Sequence, residues 1–284
     1  MSARSETGMP DRSSTALVPV LGQQIRVNVR RGTGIPLVLC NGIGASYEVL
    51  DPLVAHLDPE TTVVRFDVPG TGGSPNSILP YGFPYLAVVL RRLLRKVGLD
   101  GPVDVLGLSW GGAVAQQYAL QHPRHCRRMI LVATGTGALM VPGSPRVLLR
   151  MLTPRRFIDH EYAVGLAPHI YGGSVRRDPR IVRQLLEHQL TAGSAVGYLH
   201  QLTAGAVWTS LPWLPLIRQP TLIVSGTDDP IIPLANVHIM RTLLPQAQVH
   251  LHAGGHADLI LDAATLAPVI ERFRAGDDAA PGLR

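Results

Sequence analysis

Apolar and polar positions along the chain fall into two rhythms. Besides a last strand read at 248–251, short, almost unbroken apolar runs at residues 36–40, 62–66, 103–106, 129–133 and 221–225 are too brief for helices and show no continuous polar face. That is the pattern of strands covered on both sides. Between the runs lies a helical rhythm. Leu86, Val89, Leu90, Leu93, Leu94 and Val97 recur at i, i+3, i+4, i+7, i+8 and i+11, which predicts a helix over 84–97, with Pro84 in its first turn and Gly98 at its end. Further helices are expected from about Gly111 to His122, over 235–244, and over 263–274, the last split at Pro268. Residues 18–29 alternate in places (Ile25, Val27, Val29) and read as an opening hairpin around Leu21-Gly22-Gln23. Strands alternating with helices at short spacing imply an α/β fold with a mostly parallel sheet and right-handed crossovers.

The rhythm breaks between Gly135 and Leu216. No buried-strand run occurs there; helical segments at 145–152, 179–190 and 195–206 are studded with arginine and punctuated by Gly172-Gly173, Pro212 and Pro215. The expectation is one domain over 18–275, with a helical lid inserted at about 135–216 above the sheet edge. Residues 1–17, polar and without period, read as a disordered tail, and 276–284 as a frayed one.

Composition narrows the class. A hydrophobic share of 46% against 16% charged residues suits a compact globular protein. No apolar stretch is long enough for a transmembrane helix, and the first fourteen residues lack the apolar core of a signal peptide, so a cytoplasmic location is expected. Cys40 and Cys126 are too few for a disulfide framework or a zinc site and read as small buried hydrophobes; no metal is expected. The net charge is +6, carried almost wholly by arginine, since Lys96 is the only lysine. With no nucleic-acid-binding motif beside it, that charge gives no reason to expect a nucleic-acid partner.

The chemistry gathers around Gly107-Leu108-Ser109-Trp110-Gly111, a G-x-S-x-G turn between the strand at 103–106 and the following helix. Such a turn strains the serine backbone, projects its hydroxyl outward and points the positive end of a helix at the reacting carbon. A serine needs a base, and the base a carboxylate to orient it. In the chain order serine, acid, histidine, the strand ending at Ser225 leads into Asp228-Asp229, of which Asp229 is favoured as the fourth residue of a G-x-x-D-x-x-x-P turn. The last strand leads into His252-Ala-Gly-Gly-His256, of which His256 is favoured because His252 lies too close to the strand to swing inward. The expected catalytic residues are therefore Ser109, Asp229 and His256. The oxyanion donors are expected to be the backbone N–H groups of Trp110 and of Ile43, in the loop Asn41-Gly42-Ile43-Gly44. The loop Asp67-Val-Pro-Gly-Thr-Gly-Gly-Ser74 lacks a P-loop lysine and reads as a structural turn.

With these residues in place the chain resembles the α/β-hydrolase superfamily, and within it the intracellular depolymerases of medium-chain-length poly(3-hydroxyalkanoates). The resemblance rests on Cys40-Asn-Gly-Ile-Gly-Ala45, Phe66-Asp-Val-Pro-Gly70, Ser109-Trp-Gly-Gly-Ala113, Met140-Val-Pro-Gly143, Ile170-Tyr-Gly-Gly173, Arg176-Arg-Asp-Pro179 and Asp228-Asp-Pro-Ile-Ile-Pro-Leu234, spanning about Gln24 to Phe273. The phrases inside the insertion are the informative ones. The resemblance implies a cofactor-free serine esterase acting on a storage polyester in cytoplasmic granules, with a possible granule surface as partner. It assigns the acyl pocket to the insertion, where Tyr171, Leu202, Val207, Trp208 and Trp213 either line a channel for alkyl chains or pack the lid onto the core. Arg146, Arg150, Arg155 and Arg156 read as a solvated helix face. The competing readings are a small-ester or lipid carboxylesterase, a cofactor-free perhydrolase and a non-catalytic granule protein. The acyltransferases and synthases of this scaffold carry cysteine where this chain has Ser109.

Overall fold

A computed structural model describes residues 13–151, 159–178 and 193–277. The chain opens with an antiparallel hairpin, β1 (Ser13–Val20) and β2 (Gln23–Arg30). Its two-residue turn puts Leu21 at φ 50° and Gly22 at φ 78°, the mirror-image geometry that matches strand twist. Residues 13–17, expected to belong to a disordered tail, are therefore part of a strand. Ser13–Leu17 lie on a sheet edge with mostly exposed side chains, so the segment has no apolar signal, and main-chain pairing with β2 orders it.

The remaining strands are β3 (Leu37–Cys40), β4 (Val63–Phe66), β5 (Val103–Leu108), β6 (Cys126–Val132), β7 (Thr221–Gly226) and β8 (Ala247–His252). Among the described residues they form one eight-stranded sheet in the order β1-β2-β4-β3-β5-β6-β7-β8, parallel from β4 through to β8. The unbroken apolar runs have their explanation here. Along β3, Val38 and Cys40 enter the core on one face while Leu37 and Leu39 enter the core on the other. Helices α1 (Asp51–His56), α2 (Phe83–Lys96) and α3 (Trp110–Gln121) connect the early strands. Buried Leu86, Leu90 and Leu93 seat α2 against the sheet, and burial of Cys40 and Cys126 pushes both thiols up.

Between β6 and β7 the described residues hold α4 (Pro145–Met151), α5 (His160–Tyr171), α6 (Gly173–Arg177) and α7 (Ala195–Val207). The helix expected over 179–190 and the arginines at 155 and 156 lie outside the described residues. After β7 come α8 (Leu234–Leu243), α9 (Asp258–Leu261) and α10 (Ala263–Ala275). Pro268 does not split α10. It and Ala264, whose carbonyl it leaves without an intrahelical donor, are both exposed, while Leu266, Ile270 and Phe273 hold the helix to the core.

The order of strands reverses between β3 and β5. The loops after these neighbours diverge there, which opens a crevice beyond their carboxyl ends. Cys40 pairs with Gly107, so the loop after β3 and the turn after β5 start side by side.

Four histidines, His122, His125, His250 and His252, are held below their ordinary value of 6.5, chiefly by burial; Arg91 opposes the charge of the first two, and His252 and Arg272 that of His250. The unfolded chain takes up these protons near the ordinary value and the folded chain only at lower pH. Between the two, the unfolded state binds more protons, so stability falls as pH drops. Thermal midpoints measured from pH 8 to pH 5 are expected to decline from about pH 6.5 downward. A midpoint flat to about pH 5, with loss only in the carboxylate range, would exclude a histidine origin.

Candidate active site

The strand β5 delivers Ser109 into a turn that only a glycine-flanked sequence can make. A Cβ on Gly107 would strike the backbone of Gly111 and Gly112, and one on Gly111 would strike the Cys40 carbonyl at the end of β3. Ser109 itself sits at φ 53°, ψ −118°. The main chain compels this conformation. The Ser109 N–H donates to the Val132 carbonyl at 2.8 Å, and the Ser109 carbonyl accepts from Gly112 N–H at 2.9 Å and from Thr134 Oγ1 at 2.7 Å.

The Oγ of Ser109 lies 2.9 Å from Nε2 of His256, on the loop after β8. Nδ1 of the same ring lies 2.8 Å from Oδ2 of Asp229, on the loop after β7. The other carboxylate oxygen of Asp229 accepts the N–H groups of Ile231 and Ile232 at 2.8 and 2.9 Å, so a fully buried acid is fixed in direction. With a carboxylate facing Nδ1, the proton of the neutral ring belongs on that nitrogen, and Nε2 is left to accept from the serine. The His256 N–H donates to the Tyr171 carbonyl at 2.7 Å, and the two rings stack 6.4 Å apart. Residues from three separate loops thus make one proton path.

Of the alternatives weighed in the sequence, His252 ends β8 and stays within the strand. Asp228 has more to do than a solvated turn residue. It binds Nη1 of Arg176 at 2.8 Å and the Gly173 N–H at 2.8 Å, tying α6 to the loop that carries Asp229.

Ser109 opens onto two adjoining hollows. The smaller, about 50 Å³, is bounded by Gly42, Ile43, Tyr171, Ile231, His256 and Ile260. The larger, about 640 Å³, has Phe83, Trp110, Met140, Leu202, Trp208 and Ile232 in its wall, with few polar groups, among them Thr134, Gln201 and Thr203. Its size is that of a small-molecule site, which typically holds about 300–1,000 Å³. Ile43 and Trp110, the expected oxyanion donors, both border it beside Ser109. Leu202 and Trp208 stand in this wall as well. Trp208 is fixed there by Nε1 donating to Gln117 Oε1 at 2.6 Å, and it packs on Phe83. Tyr171 borders the smaller hollow instead. Trp213 lines neither: it lies on a 3₁₀ turn, Leu211–Leu216, and is half exposed, as the buried contacts of that turn go to Leu214. Val207 faces solvent at the end of α7.

Sequence reasoning missed Gln201. It is 1% exposed on the inner face of α7, and its Oε1 accepts the Gly44 N–H at 2.6 Å. The signal was available: at i, i+4, i+7 and i+11, Gly197, Gln201, Ala204 and Trp208 make one face in which a single long polar side chain interrupts small and aromatic ones.

A known family, described as the alpha/beta hydrolase fold, matches residues 35–162. The chain is 44% identical to the poly(3-hydroxyalkanoate) depolymerase of Ectopseudomonas oleovorans over 93% of its own length and 94% of that protein's. It is 31% identical to the pimeloyl-[acyl-carrier protein] methyl ester esterase of Aeromonas hydrophila, covering 87% of this chain and 98% of the relative. Among solved structures, the enol-lactonase from Burkholderia xenovorans LB400 superposes with a TM-score of 0.79 at 22% identity, over 92% of this chain and all of the other, a likeness of fold.

Proposed function

Since the chain belongs to the alpha/beta hydrolase family, we propose that it is a serine hydrolase of carboxylic esters whose substrate is a medium-chain-length poly(3-hydroxyalkanoate). The observation that carries the reading is a Ser109–His256–Asp229 hydrogen-bond path opening onto an apolar cavity of about 640 Å³. A polyester with alkyl side chains presents both an ester carbonyl and a chain to bury beside it. The near-full-length likeness to a depolymerase, at 44% identity, supports the same substrate class.

In this mechanism Ser109 Oγ attacks the ester carbonyl while His256 Nε2 takes its proton, and Asp229 holds the ring and balances its charge. The oxyanion is received by the N–H groups of Ile43 and Trp110. His256 then returns the proton to the departing alcohol oxygen, which frees a hydroxyl-ended piece of the polymer. Water, activated by the same ring, releases the acyl group from Ser109 as a 3-hydroxyalkanoic acid or oligomer.

An insoluble substrate calls for an apolar surface on the enzyme. Ile78, Leu79, Leu139, Leu149, Leu199 and Val207 are exposed large apolar side chains on the loops after β4 and β6 and on α4 and α7. Of these, Leu199 also borders the large cavity, and exposed apolar side chains on a face beside it would adsorb to an insoluble apolar surface. We assign this face, formed largely by the β6–β7 helices acting as a lid, to the surface of polyester granules in the cytoplasm. Among the described residues no helix is long and apolar enough to cross a membrane.

The test measures acid release from amorphous medium-chain polyester granules and from p-nitrophenyl octanoate. The enzyme is expected to degrade both. Cleavage of the small ester alone would make it a carboxylesterase and remove the polymer from the proposal. An unchanged effect on granules after Ser109→Ala would identify a non-catalytic granule protein.

A further inference from the structure

Helix α7 is fastened at both ends to the body that carries the nucleophile. Ser194 caps it, accepting the Gly197 N–H at 2.9 Å, and Gly197 lies so close to Gly70 that a Cβ on either would strike the other's backbone. One turn further on, Gln201 reaches the catalytic loops. Its backbone carbonyl accepts Trp110 Nε1–H at 3.0 Å, and its side-chain Oε1 accepts Gly44 N–H at 2.6 Å.

The second bond fixes more than the loop. Gly44 N–H requires an acceptor, so the amide cannot turn over, and Oε1 and Nε2 are assigned by chemistry. Nε2 is then a two-proton donor at a known position. It has no partner among the described residues, and Gln201 stands in the wall of the large cavity, next to Ile43, Trp110 and Ser109. A donor that is almost wholly buried and set in an apolar wall calls for an acceptor from the ligand, because a substrate oxygen brought there loses its water and must be paired.

We infer that Gln201 is a specificity-determining residue that selects acyl groups carrying an oxygen on C3, through a hydrogen bond from its Nε2. The inference rests on the ester-hydrolase reading above. With the carbonyl oxygen at the N–H groups of Ile43 and Trp110, C3 lies two bonds from the carbonyl carbon. An oxygen on it comes within reach of a donor anchored one residue along the same loop. In the polymer that oxygen is the ester oxygen of the next unit, and at a chain end it is a free hydroxyl. The apolar remainder of the wall accepts an alkyl chain whether or not C3 is oxygenated, so this one donor makes the distinction.

The experiment compares kcat/KM for p-nitrophenyl 3-hydroxyoctanoate and p-nitrophenyl octanoate in the wild type, Gln201→Met and Gln201→Glu. Methionine keeps the length and shape of the side chain without its amide. Glutamate keeps an acceptor for Gly44 N–H and removes the donor. The wild type is expected to favour the 3-hydroxy ester by about five- to tenfold, the worth of one neutral hydrogen bond, and both variants to cleave the two esters at equal efficiency. A residue that merely braces the loop would lower both rates together and leave their ratio unchanged. A ratio retained in the variants, or a wild type without preference, overturns the inference while ester hydrolysis stands. A wild type that cleaves neither ester overturns the hydrolase reading and this inference with it.

Discussion

Ser109→Ala is expected to reduce ester hydrolysis by roughly 10⁴- to 10⁶-fold, the scale at which removal of a serine nucleophile leaves only binding and oxyanion stabilisation. The loss should fall on kcat, with the thermal midpoint unmoved, because the turn is held by main-chain bonds from Val132 and Gly112 that alanine retains. Ser109→Gly separates the chemistry from the strain. At φ 53°, ψ −118° a residue with a Cβ stores about 1–3 kcal/mol. Glycine relieves that at a backbone-entropy cost of roughly 0.5–1 kcal/mol. The glycine variant should therefore be as inactive as the alanine variant and melt higher, by about 2–4 °C per kcal/mol gained. Kinetics with p-nitrophenyl octanoate and calorimetry on both proteins check this. Residual kcat within a hundredfold of wild type would remove Ser109 from the role of nucleophile.

Asp104→Ala is expected to destabilise the fold by about 3–5 kcal/mol, the usual consequence of leaving buried charges without their partner. Asp104 is a fully buried carboxylate inside β5. Arg127 approaches both of its oxygens, Nε to Oδ1 at 2.8 Å and Nη2 to Oδ2 at 2.6 Å, and Arg274 Nε reaches Oδ2 at 3.0 Å. Arg274 in turn donates to the Ile35 carbonyl at 2.7 Å, so the cluster joins β5, the start of β6, the end of α10 and the strand entry before β3. Alanine would remove the buried carboxylate from two guanidinium groups, one of them 7% exposed, leaving Arg274 with Glu271 Oε2 at 2.9 Å and Arg127 with the Arg274 carbonyl at 2.9 Å. The midpoint should drop by about 2–4 °C for each kcal/mol lost. Asp104 lies at the opposite end of β5 from Ser109, so the folded fraction should keep wild-type kcat/KM. A midpoint unchanged within a degree would show that the cluster contributes nothing net.

The parts of this fold that were plain in the sequence are those where burial alone decides structure. The inner strands are mostly apolar and covered on both faces, so 36–40 and 221–225 announce themselves, and α2 shows its stripe because one side of it faces solvent. The site was legible for a related reason. A parallel sheet sends every strand's carboxyl end to one edge, so a serine, an aspartate and a histidine following three strands in chain order must converge. What escaped was decided by pairing and docking. Ser13–Leu17 have no hydrophobic signal because their order comes from main-chain bonds to β2. α5 and α6 were hidden by Pro168 and by Gly172-Gly173, residues that read as breaks but here sit within and between helices. Trp213 and Trp208 look equivalent in sequence, and only the seating of α7 against Phe83 and Gln117 separates the one in the cavity wall from the one outside it.

On the proposed mechanism, the spacing of the catalytic groups bears on how the chain matures. Ser109 and its base are 147 residues apart, and the base follows β8, at the far edge of the sheet. Contacts this distant close late, because loop entropy opposes them until the intervening strands have docked. During synthesis the proposed nucleophile leaves the ribosome 147 residues before its base. A partly made chain therefore holds a strained but inert serine, and hydrolytic power arrives only with the loop that follows the last strand.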